Sequence, residues 1–290
     1  MALETDTGTA NDVVPTEHIV PFIAGYNFPV LTADAVCWVE PSQGSGSTPI
    51  VFPRWASLAV PAGTNAEVDD DLTRVEASTD GETVTPGVVG FELSITDVLV
   101  RGSRVPGIAE SALQHSLNAL AARRDADILS AITSAGETFS DTSTSLTREQ
   151  AKRAILRAGV KFGINGGKPA FILSSAAHAQ LSVDELLSSA TSAMYAEIFG
   201  PSAGFLGEWH GALLFHSAQC PANGVGYSSV ITPIGNGQSG LGLGEVERVN
   251  VEINRGAEGA RARTTFAAVT AWYGAGLSND DRVLEVASQA

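Results

Sequence analysis

The sequence predicts an α+β fold, and three observations carry that expectation. Between residues 90 and 135 a strand with period-two apolar residues runs into one long helix with apolar steps of three and four. The second half then mixes helices and strands without any repeat period, as α+β domains do. Two further segments, one at the amino terminus and one between two strands, hold too few apolar residues to bury a core.

Residues 1–35 open polar and continue as VPTEHIVPFIAGYNFPV, whose Pro and Gly punctuation resists a regular element and predicts an extended arm. Residues 36–90 read as a strand (AVCWVEP), a turn-rich linker (SQGSGSTP), a second strand (IVFPRWASLAV), an acidic tip and a return through GETVTPGVVG. This is a long two-stranded excursion. Its tip sets Glu67, Asp69, Asp70, Asp71, Glu76, Asp80 and Glu82 against Arg74 alone. Such a stretch is either solvated or ordered by a neighbouring chain.

The strand FELSITDVLVRGS follows, with Phe91, Leu93 and Ile95 on one face. The helix after it places Leu113, Leu117, Leu120, Ala121, Ile128 and Ile132 inward; Pro106 suits its first turn and Gly136 its end. At 1.5 Å per residue it spans about 40 Å, a rigid beam. Beyond a Ser/Thr-rich linker, Thr147 and Gln150 have the spacing of a capping box. They open the helix REQAKRAILRAGVKFG, in which Ala151, Ile155 and Val160 are expected inward. Arg148, Lys152, Arg153, Arg157 and Lys161 make that helix cationic. Such a face is either solvated or meets an acidic neighbour, such as the acidic tip, or enclosed nucleic acid. A strand (PAFILSS), two helices (AAHAQL, VDELLSSATSAMYAEIF) and the strands ALLFHS, YSSVIT, VERVNVEIN and RARTTFAAVTAWYGAGL complete the chain.

Composition narrows the function classes. The 290 residues carry a formal charge of −15, with Lys152, Lys161 and Lys168 the only lysines. Phosphate neutralisation supplies most of the affinity of nucleic-acid binders, so tight DNA gripping is not expected. The preference for Arg over Lys suits intersubunit carboxylate pairing. Cys37 and Cys220 fit no metal or redox spacing and read as small apolar residues in a reducing compartment, with a single disulfide as the other possibility. No basic-then-apolar leader and no membrane-length apolar window is present, so a soluble protein made where it acts is expected.

Three motifs resemble catalytic or cofactor signatures and fail on context. Gly200-Pro-Ser202-Ala-Gly204 has the spacing of a nucleophile elbow, but a helix precedes it and no acid stands in suitable order with His210 and His216, Glu208 being too close in sequence. Gly235 to Gly240 fits a dinucleotide fingerprint, yet a strand-like stretch follows where the phosphate-binding helix is needed. In Gly163 to Pro169 the proline replaces the Ser/Thr that would hold magnesium. The five histidines include no i, i+4 pair. No catalytic residue, cofactor or metal site is expected.

Taken in order, these elements resemble the major capsid protein of tailed bacteriophages, the Hong Kong 97-type fold also found in encapsulin shells. The resemblance runs from about Val36 onward. It rests on the hairpin IVFPRW to GVVGFELS, the passage SITDVLVRGSRVPGIAESALQHSLNALAARRDADIL, the stretch REQAKRAILRAGVKFGINGGKPAFILSSAAHAQL, and the closing ARTTFAAVTAWYGAGLSNDDRVLEV. It implies an N-terminal arm (1–35), a strand and extended hairpin loop (36–90), and a peripheral domain with a long spine helix (91–146). A mainly axial domain (147–270) and a closing strand returning to the peripheral domain (271–290) would follow.

The resemblance also implies a non-enzymatic shell subunit, assembled in the host cytoplasm into the pentamers and hexamers of a virion head around double-stranded DNA, which it contacts weakly. Scaffolding, portal and decoration proteins are the further partners implied, with no membrane. Arg54, Trp55, Glu67, Asp69, Asp70, Asp71 and Arg74 are the expected inter-subunit contacts, and the basic helix face the expected contact with an acidic neighbour or the genome. Some members weld subunits through a loop lysine, but no lysine lies in this loop. With only about 35 residues before the first strand, scaffolding is expected from a separate protein. The alternatives are an encapsulin-like nanocompartment shell and, from another class, a dinucleotide-binding oxidoreductase resting on Gly235 to Gly240.

Overall fold

The structure, a computed structural model, describes residues 32–41, 49–55, 79–96, 108–140, 145–162, 167–183, 204–222, 226–235, 238–254 and 264–289. In chain order the elements are α1 (Thr32–Val36), β1 (Trp38–Pro41), β2 (Ile50–Trp55), β3 (Thr79–Val84), β4 (Gly87–Thr96), α2 (Ile108–Ser130) and a 3-10 turn (Ala131–Ser134). There follow β5 (Thr138–Ser140), α3 (Arg148–Phe162), β6 (Pro169–Leu173), α4 (Ser175–Val183), β7 (Phe205–Trp209), β8 (Ala212–His216) and β9 (Gly226–Pro233). The chain closes with β10 (Leu241–Asn254), β11 (Thr264–Leu277), a 3-10 turn (Asp280–Arg282) and β12 (Leu284–Gln289).

Three sheets result: a four-stranded sheet ordered β1-β10-β11-β4, a six-stranded sheet ordered β5-β12-β9-β6-β8-β7, and the two-stranded ribbon β2-β3. The long helix α2 spans 23 residues, about 35 Å, and every apolar position predicted to face inward along it is buried. It packs on the four-stranded sheet, where Leu241, Leu243, Val269, Ala271 and Tyr273 join its core. The same core continues into one face of the six-stranded sheet through Ile172, Leu213, Phe215 and Val230. The other face of that sheet packs on α3 and α4 through Phe171, Leu173, Leu214, Ile231, Leu284 and Val286. Burial on both faces explains why PAFIL and ALLFH are continuous apolar runs instead of alternating ones.

Several expectations need correction. Ala35 and Val36 end the helix α1 and do not open a strand; the helix holds because α2 supplies its polar partners, described below. Val160 faces solvent at 85% exposure, because five residues past Ile155 turns it about 140° away from the buried set Ala151, Ala154, Ile155 and Ala158. Strand β4 starts at Gly87, so residues 87–90 belong to the sheet and not to the excursion. The short β5 and the bulged β7, irregular between Phe205 and Gly207, carry too little alternation to be read from sequence.

The sheets also divide the chain differently from the expected boundaries. Strands β10 and β11 lie beside β4 against the long helix, whereas the resemblance places 241–270 in the mainly axial segment 147–270. The closing strand β12 lies between β5 and β9 in the other sheet, where Leu284 and Val286 are buried by α3 and α4.

Candidate assembly interface

Four side-chain arrangements define the surfaces that this fold presents. The first seats the β2-β3 ribbon. Its ladder runs from Ile50 opposite Val84 to Trp55 opposite Thr79. Phe52 is fully buried and meets the Trp38 ring edge-on at 5.2 Å. The floor beneath is made of glycine: a Cβ on Gly242 would come within 2.8 Å of the Phe52 ring, one on Gly244 within 2.8 Å of Ile50, and one on Gly274 within 2.6 Å of Val84. The glycine-rich LGLG and WYGAG stretches, which interrupt strand periodicity, are therefore the seat of the ribbon. Arg54 Nη1 donates to Asp280 Oδ1 at 2.9 Å and to Asn279 Oδ1 at 3.3 Å. The guanidinium offered from sequence as an inter-subunit contact is thus engaged within its own chain. Trp55 closes the ladder, while Glu67, Asp69, Asp70, Asp71 and Arg74 lie outside the described residues.

The second arrangement is a buried polar junction built on the adjacent residues Arg124 and Asp125 of α2. Asp125 Oδ1 accepts the Ala33 N–H at 2.7 Å, satisfying a first-turn donor of α1, and Oδ2 accepts from Ser217 Oγ at 2.7 Å. Burial pushes the Asp125 carboxyl up, against the lowering effect of those two bonds. Arg124 Nε donates to Asp34 Oδ1 at 2.9 Å. Its Nη2 forms an ion pair with Glu245 Oε2 at 2.5 Å. Burial works against this guanidinium's charge, but Asp34 and Glu245 outweigh it and hold its pKa above the ordinary value. Tyr273, whose ring centre lies 5.7 Å from the Arg124 guanidinium carbon, donates to Asp127 at 2.8 Å. Arg124 lies on the same helix face as the buried Leu120 and Ile128, a spacing that marks it in the sequence as a buried charge.

The third is the basic helix α3. Its capping box forms as predicted: Thr147 N–H donates to Gln150 Oε1 at 2.8 Å and Gln150 N–H to Thr147 Oγ1 at 3.3 Å. Arg153 pairs with Glu149, Arg157 and Lys161 both pair with Glu137, and Lys161 Nζ also donates to the Val283 carbonyl at 3.0 Å. Glu137 loses some solvation, but Lys161 and Arg157 together hold its carboxyl below the usual range. Arg148 and Lys152 are exposed, with no acidic group in ion-pair distance among the described residues.

The fourth concerns the rejected motifs. Gly235, at φ 118°, opens a turn whose carbonyl accepts from Gln238 and Ser239, and the strand β10 follows directly, so no helix amino terminus faces a phosphate there. Lys168 binds both carboxylate oxygens of Glu208 at 2.9 Å. Ser202 lies outside the described residues, and His210 sits in the tight β7-β8 turn at φ 47°. His216 instead approaches Ser175 Oγ at 3.2 Å and the His178 ring at 4.9 Å, a contact not foreseen from sequence; burial and then His178 lower its pKa. Cys37 and Cys220 are free buried thiols, and burial pushes Cys220 up to about 12. Among the described residues no acidic, His and Cys cluster suits a metal ion, and no helix is long and apolar enough to cross a membrane.

The sequence matches no family model and no curated protein. Solved structures do match. The capsid structure of the cyanophage P-SCSP1u superimposes with a TM-score of 0.62 at 12% identity, covering 87% of this chain and 86% of that one. The head structure of Helicobacter pylori bacteriophage KHP40 gives a TM-score of 0.60 at 13% identity over 90% and 89% of the two chains. The capsid of a native GTA particle gives 0.60 at 11% identity, over 91% of each. The class that this architecture defines is a phage capsid fold.

Proposed function

We propose that this chain is the major capsid subunit of a tailed bacteriophage, a Hong Kong 97-type protein without enzymatic activity that assembles into pentamers and hexamers of an icosahedral head around double-stranded DNA. One observation carries the reading: likeness to capsid structures extends over about nine-tenths of this chain and of each of theirs. The acidic charge of −15 agrees with weak contact to an enclosed genome. In this reading the four-stranded sheet with α2 forms the peripheral part, the six-stranded sheet with α3 and α4 the axial part, and the seated ribbon is the base of the extended loop. Scaffolding, portal and decoration proteins are the partners such a head uses, and the virion is its place.

The chain acts by closing heterologous contacts, first into rings and then into a sphere. Expression of the chain alone, followed by negative-stain electron microscopy and sedimentation, tests this. Closed shells, tubes or six-fold rings are expected. A compact dimer or tetramer that binds a nucleotide would overturn the reading, and shells filled with a protein cargo instead of nucleic acid would redirect it to a nanocompartment.

A further inference from the structure

Four exposed residues of α3 fall at four-residue steps: Arg148, Lys152, Leu156 and Val160. Together they form one ridge along the helix, on the side away from its core. Its first half is cationic and unpaired among the described residues; its second half is apolar, with Leu156 58% and Val160 85% exposed. Neither half is explained by the fold. An exposed apolar pair in line with unpaired cations is what a docking ridge requires, since packing helix ridges into a partner's grooves needs apolar contact and unlike charge fixes the register.

We propose that this ridge docks the acidic stretch 67–76 of a second copy of the chain. The argument is charge and chemistry. At −15, copies of this protein repel one another unless unlike charges meet, and α3 gathers five cations against the single Glu149. The complement must offer acids interleaved with apolar residues. EVDDDLTRVE supplies Glu67, Asp69, Asp70, Asp71 and Glu76 around Val68, Leu72 and Val75. The inference rests on the shell reading above for the presence of a second copy, and names one contact within it.

The test uses the full chain and a synthetic peptide of residues 64–78. The peptide binds the wild-type protein in a salt-sensitive manner, and Arg148→Glu/Lys152→Glu weakens it about tenfold or more, the size expected for lost close charge pairs. Leu156→Ser/Val160→Ser weakens it with less salt dependence. All four positions are exposed, so these variants keep the wild-type melting temperature. In assembly, Arg148→Glu/Lys152→Glu and Asp69→Lys/Asp70→Lys/Asp71→Lys each fail alone and co-assemble when mixed. Failure of the mixture to assemble, with both variants folded, overturns docking from a second copy in favour of the same chain. Equal peptide binding by wild type and variant, or no binding, overturns the docking itself. Peptide binding that behaves as expected in a wild-type protein that forms a compact, nucleotide-binding dimer or tetramer overturns the shell reading and leaves the ridge as an acidic-peptide site.

Discussion

The Phe52 ring stands where a side chain on Gly242 would be, its Cζ 2.8 Å from the position of that missing Cβ. One aromatic residue and one glycine, 190 positions apart, thus settle where the ribbon meets the sheet.

Gly242→Ala should therefore displace the ribbon. The expected loss is about 1–3 kcal/mol of stability, typical of overpacking, read by denaturant unfolding. Phe52→Ala, which removes a fully buried ring, should cost about 3–5 kcal/mol. The double variant should lose less than the sum, because the smaller side chain leaves room for the added methyl. Strict additivity would show that the two residues do not share this space.

Asp125 gives a pH-dependent prediction. Its folded pKa is raised by burial, so the stability linked to it is fully present below the ordinary carboxylate pKa and is lost as pH rises through the folded value. Asp125→Asn, whose one amide oxygen can accept the Ala33 N–H while its NH2 donates to Ser217 Oγ, should flatten that decline and match or exceed the wild type at neutral pH. Asp125→Ala should be destabilising at every pH, since it orphans the buried Ala33 N–H, by about 1–3 kcal/mol. Melting curves of the three proteins across the acid-to-neutral range decide it.

His216 has the opposite sign. Its folded pKa is lowered, so its contribution is present above the ordinary imidazole pKa and is lost as pH falls through the range between that value and the folded one. His216→Gln should reduce the loss of stability on mild acidification. An unchanged pH profile in that variant would locate the acid sensitivity elsewhere.

Thr147→Ala should cost about 0.5–2 kcal/mol by leaving the first turn of α3 uncapped, and Gln150→Ala should cost less, since only the reciprocal bond is lost. Hydrogen exchange at the first turn of α3 should rise in both, with the helix end and the six-stranded sheet unaffected.

What was legible in the sequence was what local physics controls. The long helix, the capping box of Thr147 and the buried runs of β6 and β8 followed from periodicity and side-chain chemistry within a few residues. Misreadings arose where distant residues decide. A five-residue helix at Thr32–Val36 exists because Asp125 and Arg124, some ninety positions later, satisfy its polar groups. Gly242 and Gly244 looked like breaks in a strand because the ribbon that fills their space is remote in sequence. Val160 was assigned inward from its apolarity alone, although the helical angle from Ile155 places it outside. Of the expected contact residues, Arg54 has a partner in its own chain, which no local pattern near it could announce.

The strand order also bears on the timing of synthesis. Strand β1 pairs with β10, and β4 pairs with β11, so no two strands of the sheet beneath the long helix are paired until residues beyond 240 have been made. The seat for the ribbon lies on those same late strands. A nascent chain therefore holds its edge strands and its ribbon without partners for most of its emergence, the situation in which long-range pairing is slow and chaperones are engaged. The core beneath the long helix is thus among the last parts of the molecule to close.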